Sequence, residues 1–308
     1  MLNLYLDQNV LGLIAEGQII LKPKVDVRWI FSNEHLTEIA RGDVEEILDV
    51  LRTLKAQRLR LELDAKGRIT DNRIIDEYID PAKIYSEFRQ NTPAVAPAIF
   101  QGFIAKIFGA QDPAIVEAFP DDMANQFREH LKGVPWVDDI MGSSLEHLIR
   151  KAGEDILEKL AGTQPLEKRR KPLGFDRGQA SNYANAVNPL QELWEHANKQ
   201  YPSPISADQF FGFDPLDKKL LGYEKWPIFL GISTCYSTLN AIGFRPDEGL
   251  ARIKRVPANM SDAHHVAYAA FCDGLLSEDS RMCEKALAIY KFRQIETRVV
   301  DVSKPVGG

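Results

Sequence analysis

Hydrophobic positions alternate over the first six residues. Leu2, Leu4 and Leu6 are separated by Asn3 and Tyr5, and the pattern breaks at Asp7-Gln8-Asn9 before another apolar stretch. A period of two, a polar break and a new apolar run predict a buried strand entering a turn and a helix. Val25 to Phe31 predicts a second strand. Ser32-Asn33, both good capping residues, then predict a helix that carries Leu36, Ile39 and Ala40 and ends at Gly42. Val44, Ile47, Leu48, Leu51 and Leu54 recur at helical spacing, Leu59 to Leu63 alternates, and Asp64 to Gly67 reads as a turn, so a further helix and a short hairpin are expected.

Residues 70–225 show mostly helical patterns broken by Pro and Gly. The clearest holds Leu145, Leu148, Ile149, Ala152, Ile156, Leu157 and Leu160, opened by the capping pair Ser143 and Glu146 and closed by Gly162. Gln164 to Ser181, with its run Lys168-Arg169-Arg170-Lys171, reads as an exposed, mobile loop. Order returns with an apolar helix over Ile228 to Ile242, a helix opened by Ser261-Asp262, a short buried strand at Gly274 to Ser277, a helix from Asp279 through Tyr290, and a last strand over Thr297 to Val302. Alternating strands and helices at both ends of the chain predict a Rossmann-like parallel α/β sheet of four or five strands. It is assigned to residues 1–57 plus 227–308, with 58–226 a mainly helical insertion acting as a lid, a substrate-selecting wall or a partner-binding face.

Composition narrows the class. The chain has 308 residues, 44% of them hydrophobic and 27% charged, which suits a folded protein with a sizeable core. Its 38 basic and 44 acidic residues leave −6, against a general basic coat for nucleic acid. The charge is unevenly placed: residues 1–43 hold 6 acids and 4 bases, and residues 252–308 hold 7 acids and 9 bases. The two ends together are neutral, so the acidity belongs to the rest, where it suits a protein regulator better than a nucleic-acid groove. Three cysteines without CxxC spacing argue against a disulfide framework or structural zinc. No basic leader and no long apolar span are visible, so a soluble cytoplasmic protein without membrane contact is expected. GxSxG, P-loop and GxGxxG motifs are missing, which removes support for a serine nucleophile, an NTPase or a nucleotide cofactor.

The candidate chemistry lies in acids at predicted strand ends, where parallel α/β sheets bind ligands. Asp7 follows the first strand. Glu38 lies in the helix after the second, with Glu34 one turn earlier as a substitute. Asp262 opens the helix before the third strand, Asp279 follows that strand, and Asp273 precedes it. Carboxylates sharing one pocket need a cation between them. Hard oxygen ligands suit Mg²⁺ or Mn²⁺, and such ions can activate water against a phosphodiester. Plain helix capping is the competing reading for Asp7, Asp262 and Asp279.

Three pieces of the sequence resemble the PIN-domain and PIN-like nucleases. They are Leu6-Asp7-Gln8-Asn9-Val10-Leu11, Ser32 through Gly42 with Glu38 six residues past Ser32, and Asp262-Ala263-His264-His265 through Ser277-Glu278-Asp279. Ser277 stands where the family usually has Thr, and the interval from Glu38 to Asp262 is several times that of the small toxin members. The resemblance implies that Asp7, Glu38, Asp262 and Asp279 bind the metal, with Asn9 and Ser277 holding the site in shape. It also implies a divalent-metal-dependent nuclease, most often an endoribonuclease acting on RNA. Chain length and family habit suggest a restrained effector, for instance in antiviral defence.

Arg252, Lys254 and Arg255, just before Asp262, are candidates to grip phosphates, as is the 168–171 run, while Lys285 could neutralise the acids or meet substrate. Trp136, Trp194, Phe210, Phe211 and Trp226 are expected in the core rather than as base-stacking platforms. Two alternatives stand beside the nuclease. One is a PIN-like scaffold that binds RNA or protein without cleaving. The other is a hydrolase whose metal sits among His35, His264, His265 and nearby carboxylates.

Overall fold

The computed structural model describes residues 1–21, 24–42, 44–91, 98–110, 119–121, 124–125, 128, 143–161, 163–200 and 203–304. The chain divides into two compact units. The first comprises Met1–Ala94, Arg170–Asp247 and Ala258–Gly308, and the second comprises Val95–Arg169 and Glu248–Pro257.

The first unit is built on one sheet. Strand β1 (Leu2–Leu6) leads into helix α1 (Gln8–Ala15), β2 (Val27–Ser32) into α2 (Asn33–Gly42) and α3 (Glu46–Thr53), and β3 (Gln57–Leu63) forms a hairpin with β4 (Ile69–Ile75). Helix α4 (Pro81–Asn91) closes this stretch. At the other end of the chain come β5 (Gly274–Ser277) and β6 (Arg298–Asp301). The sheet order is β4-β3-β2-β1-β5-β6, with every neighbouring pair parallel except β3 and β4. An α/β fold with a mostly parallel six-stranded sheet is therefore present, compatible with the Rossmann-like class.

Both faces are covered, as a parallel sheet requires. Leu6, Trp29 and Phe31 point to one face, where they pack with Val10, Leu36, Ile39, Leu51 and Ile84 of α1 to α4. The intervening Tyr5, Ile30 and Leu275 point to the other face. The strict alternation of strand side chains makes this division.

The hairpin overturns the expected insertion boundary at residue 58: β3 pairs with β2 and belongs to the main sheet. Residues 170–247 likewise fall in the sheet's unit. They supply α8 (Pro189–Asn198), α9 (Ala207–Phe210) and α10 (Ile228–Ile242), which follow α5 (Ala98–Ile107), α6 (Ser143–Ala161) and α7 (Leu166–Arg170) in the chain. Leu193, Phe211, Ile232, Tyr236 and Leu239 complete the second face with α11 (Val256–Ala269) and α12 (Ser280–Arg293). Phe211 is a core residue, and the Trp194 indole donates to the Ile205 carbonyl at 2.9 Å beside that core. The three cysteines, Cys235, Cys272 and Cys283, are buried and free.

The expected mobile loop at 164–181 is ordered instead as α7 and two 3-10 turns, Lys171–Leu173 and Asp176–Asn185. Arg170 anchors it by donating to the carbonyls of Asn240 and Ala241, each at 2.8 Å, at the carboxyl end of α10. The charge run that looked solvated thus includes a helix cap. In the second unit Phe103 stacks on Phe119 with centroids 5.5 Å apart, and Arg150 pairs with Asp121 at 3.1 Å. Trp136, Gly162 and the side chains of Ser143 and Glu146 lie outside the described residues.

Candidate metal and acid site

Strand order reverses at β1, which has β2 on one side and β5 on the other. Ligands gather at the carboxyl side of such a switch point. Asp7 emerges there: its N–H donates to the Leu276 carbonyl at 3.0 Å, holding it beside the end of β5. The Ser277 hydroxyl donates to Asp7 Oδ2 at 2.9 Å and accepts the Asp279 N–H at 3.0 Å, so one serine ties both acids to β5. The other Asp7 oxygen accepts the Gln8 N–H, at 2.8 Å. Asp7 is 2% exposed. Burial, with Glu38 close by, pushes its carboxyl up, although His265 pulls the other way.

Helix α2 starts at the end of β2, with the Ser32 hydroxyl accepting the Glu34 N–H at 3.2 Å. It presents Glu34 and Glu38 on one face to α11. Glu34 meets His264 Nδ1 at 2.8 Å, and Glu38 meets His265 Nε2 at 2.8 Å. The same His265 nitrogen lies 3.9 Å from Asp7 Oδ1. Burial works against charge on His265, but Glu38, Asp7 and Glu34 outweigh it and raise the imidazole to about 9. His265 is therefore an imidazolium at neutral pH. Its Nδ1–H donates to the Tyr5 hydroxyl at 2.8 Å, which donates on to Ser32 Oγ at 2.7 Å. Glu34 stays low, at about 2, because His264, His265 and Ser261 overcome the opposing effect of burial.

His35 serves the core. The Ser32 N–H donates to its Nδ1 at 3.0 Å, and its Nε2–H donates to the Leu6 carbonyl at 2.6 Å. Burial and the neighbouring His265 hold it down at about 3, so it is neutral with both nitrogens occupied. His35 thus has both ring nitrogens occupied, while His264 and His265 each meet a glutamate of α2.

Asp262 is not the helix cap the sequence suggested. Helix α11 begins at Val256, so Asp262 sits one and a half turns inside it. Its carboxyl is raised strongly by burial and then by Asp247 and Asp7, and among the described residues it has no hydrogen-bond partner. Asp279 does cap α12, its Oδ1 accepting the N–H groups of Arg281 at 2.7 Å and Met282 at 3.0 Å.

Asp247 has no motif around it, and sequence reasoning missed it. It is 6% exposed and forms an ion pair with Lys285, which is wholly buried. Asn240 Nδ2 donates to Asp247 Oδ2 at 2.8 Å, Lys285 donates to Asn240 Oδ1 at 2.9 Å, and the ammonium lies 3.9 Å from the Tyr236 ring centre. Only the fold brings residue 247 to residue 285, so no local pattern could have announced the pair.

Asp7, Glu38, Asp262 and Asp279 thus come from the carboxyl ends of β1, β2 and β5 and from the facing helix. Asp273 does not join them. It lies at the amino end of β5, where it accepts the Asn3 backbone N–H at 2.7 Å and the Asn3 side-chain N–H at 3.1 Å, at the opposite end of the paired strands β1 and β5 from Asp7. Its expected role as a ligand is withdrawn on that placement. Asn9 is exposed in the first turn of α1, and its side chain makes no hydrogen bond among the described residues. Lys285 is not a surface lysine and cannot reach a substrate from its buried position. Arg252, Lys254 and Arg255 are exposed at the 3-10 turn Ile253–Arg255 in the second unit.

Whether a divalent cation fits can be judged from the donors. Among the described residues no three His, Cys, Asp or Glu side chains stand together in ligating geometry. The chemistry of the donors nevertheless suits a hard cation: among the described residues Asp262 carries unpartnered oxygens, Asp7 is a carboxyl made costly to ionise by burial and by Glu38, and Asp279 uses one oxygen for capping. Glu38 is the least available, since Arg41 at 3.1 Å and His265 each hold one oxygen.

No family model matches the chain, and no solved structure matches it. An 81-residue stretch is 32% identical to the arginine–tRNA ligase of Psychrobacter sp. (strain PRwf-1). The match covers 26% of this chain and 13% of the ligase, too little to carry the ligase's activity across. Among the described residues no helix is long and apolar enough to cross a membrane.

Proposed function

We propose that this chain is a PIN-like, divalent-metal-dependent nuclease that hydrolyses phosphodiester bonds, with RNA the favoured substrate. The observation that carries the proposal is the Asp7–Ser277–Asp279 tie at the strand-order reversal, with Glu38 reaching the same region through His265. In this reading Asp7, Asp262 and the uncapped oxygen of Asp279 hold Mg²⁺ or Mn²⁺. A bound ion supplies Lewis acidity toward the phosphate and lowers the pKa of a water. Ser277 fixes the Asp7 carboxylate, and the His265 imidazolium fixes Glu38 while offsetting the charge of the cluster. The choice of RNA over DNA comes from the family resemblance. A protein regulator, binding the acidic remainder of the chain, belongs to the same proposal.

The test is incubation of the purified protein with labelled single-stranded RNA, tRNA and DNA, in Mn²⁺, Mg²⁺ or EDTA, beside Asp7→Asn and Asp262→Asn. Cleavage of RNA in either metal, and its disappearance in EDTA and in both variants, is the expected result. Cleavage by both variants at the wild-type rate would move the chemistry elsewhere. Binding of RNA without cleavage under every condition would make the protein a non-catalytic scaffold.

A further inference from the structure

Among the histidines of the first unit, one is held differently from the rest. His35 bonds Ser32 and Leu6, His196 bonds Tyr183 and Gly174, and His265 bonds Tyr5 and Glu38, so each uses both ring nitrogens. His264 uses Nδ1, which meets Glu34 Oε2 at 2.8 Å, and among the described residues its Nε2 has no hydrogen-bond partner. Its side chain is 31% exposed, against 13% for Glu34. The ring therefore reaches solvent from a sheltered carboxylate.

The same ring is firmly placed. The Ser261 hydroxyl donates to the other oxygen of Glu34, at 2.5 Å. Buried Phe229 of α10 stacks on the imidazole, with centroids 5.6 Å apart and planes at 29°. An ionised carboxylate can only accept, so in the neutral imidazole Glu34 puts the proton on Nδ1. Nε2 then carries a lone pair in a fixed direction and can take one hydrogen-bond donor.

The pair adjoins the proposed site by contact. Glu34 and Glu38 stand one turn apart on α2, which makes their side chains neighbours. Glu38 meets His265, the residue next to His264, and His265 lies 3.9 Å from Asp7. A phosphate bound beside Asp7 thus has the Glu34–His264 pair as its neighbour one turn along this seam. In RNA the 2′-hydroxyl sits on the carbon next to the one bearing the 3′-phosphate, and it is the donor that DNA lacks. Base N–H groups lie farther off, across the sugar.

Resting on the nuclease reading, we infer that His264 is a specificity-determining residue whose open Nε2 accepts a hydrogen bond from the ribose 2′-hydroxyl beside the bound phosphate. Glu34 is its positioning residue. Preference for RNA over DNA is then built into the site by one acceptor.

The experiment compares one single-stranded sequence made as RNA, as DNA and as 2′-fluoro RNA, which keeps the sugar shape of RNA but cannot donate. Affinity for the full chain is read by fluorescence anisotropy in EDTA, and kcat/KM in Mn²⁺, for the wild type and His264→Phe. The phenyl ring retains the stack on Phe229 and removes the acceptor, and circular dichroism confirms the fold. The wild type should favour RNA over both analogues on the order of 10-fold, and His264→Phe by no more than about twofold, since one hydrogen bond is lost. Equal treatment of RNA and 2′-fluoro RNA by the wild type would overturn the inference without any variant and leave the nuclease reading intact. A folded His264→Phe that keeps the full preference would also overturn it. A preference in binding that His264→Phe abolishes, with no cleavage in either Mn²⁺ or Mg²⁺, would sustain the hydroxyl contact and remove the nuclease reading. Neither binding nor cleavage by the wild type would remove both.

Discussion

Asp7 is nearly sealed from solvent, and burial with Glu38 nearby pushes its carboxyl up, so holding it ionised at neutral pH works against folding. Asn keeps an acceptor for the Gln8 N–H and can reorganise its contact with the Ser277 hydroxyl. Asp7→Asn should therefore leave the metal-free melting temperature unchanged or higher. At the same time, cleavage should fall on the order of 100-fold or more, as changes around metal ligands do. Scanning calorimetry beside the RNA assay separates the two, and loss of stability together with activity would mark Asp7 as structural. Asp7, Glu38, Ser277 and Asp279 were legible in the sequence because each sits at a strand end or in the following helix, where order along the chain predicts position in space. Asp273 carried the same local signal but stands at the wrong end of β5. A strand of four residues separates its two ends by about 10 Å, at 3.3 Å per residue.

Elements were readable where the hydrophobic period was unbroken. The strand, turn and helix at the amino end and the last two strands formed where the pattern placed them. Ser261-Asp262 misled because Ser and Asp are also tolerated inside a helix when the preceding turn is already helical, as Val256–Met260 is. The 164–181 segment misled because two of its basic residues, Arg169 and Arg170, donate to carbonyls, while Lys168 and Lys171 face water. Arg170 satisfies two carbonyls at the carboxyl end of α10, and Gly243, with φ +87°, lets the chain turn against the guanidinium. Arg170→Ala should cost about 2 kcal/mol, the scale of charged hydrogen bonds lost from a partly buried site. Urea unfolding measures this. Cleavage by the folded variant should be unchanged, since Arg170 touches no proposed ligand.

Stability across pH is a property of the first unit as a whole. His265 is raised to about 9 from an ordinary 6.5, so its contribution is complete below 6.5 and is lost as pH rises through 9. Glu34 is lowered to about 2 from 4.5, so its contribution is present above 4.5 and is lost as pH falls through 2. Asp7 and Asp262 run opposite to Glu34, favouring the folded state when protonated. Together these place the metal-free maximum on the acidic side of neutrality. Thermal melts from pH 6.5 to 9 should decline in the wild type by on the order of 3 kcal/mol, the linkage value of a shift of that size. They should decline much less in His265→Gln. An equal slope in both would show that the imidazolium is not what the two glutamates stabilise.

Ser277 and Asp7 are 270 positions apart, yet one hydrogen bond joins them. At synthesis rates of about 5–20 residues per second, Asp7 and Glu38 wait many seconds for their partners to leave the ribosome. Until then β1 has only β2 beside it, and the strand that would complete the reversal is absent. A ribosome carries RNA in abundance, and on the proposed nuclease reading a growing chain with a finished centre would be a hazard to it. The two-ended construction of the sheet defers assembly of the centre until β5 and Asp279 have been made.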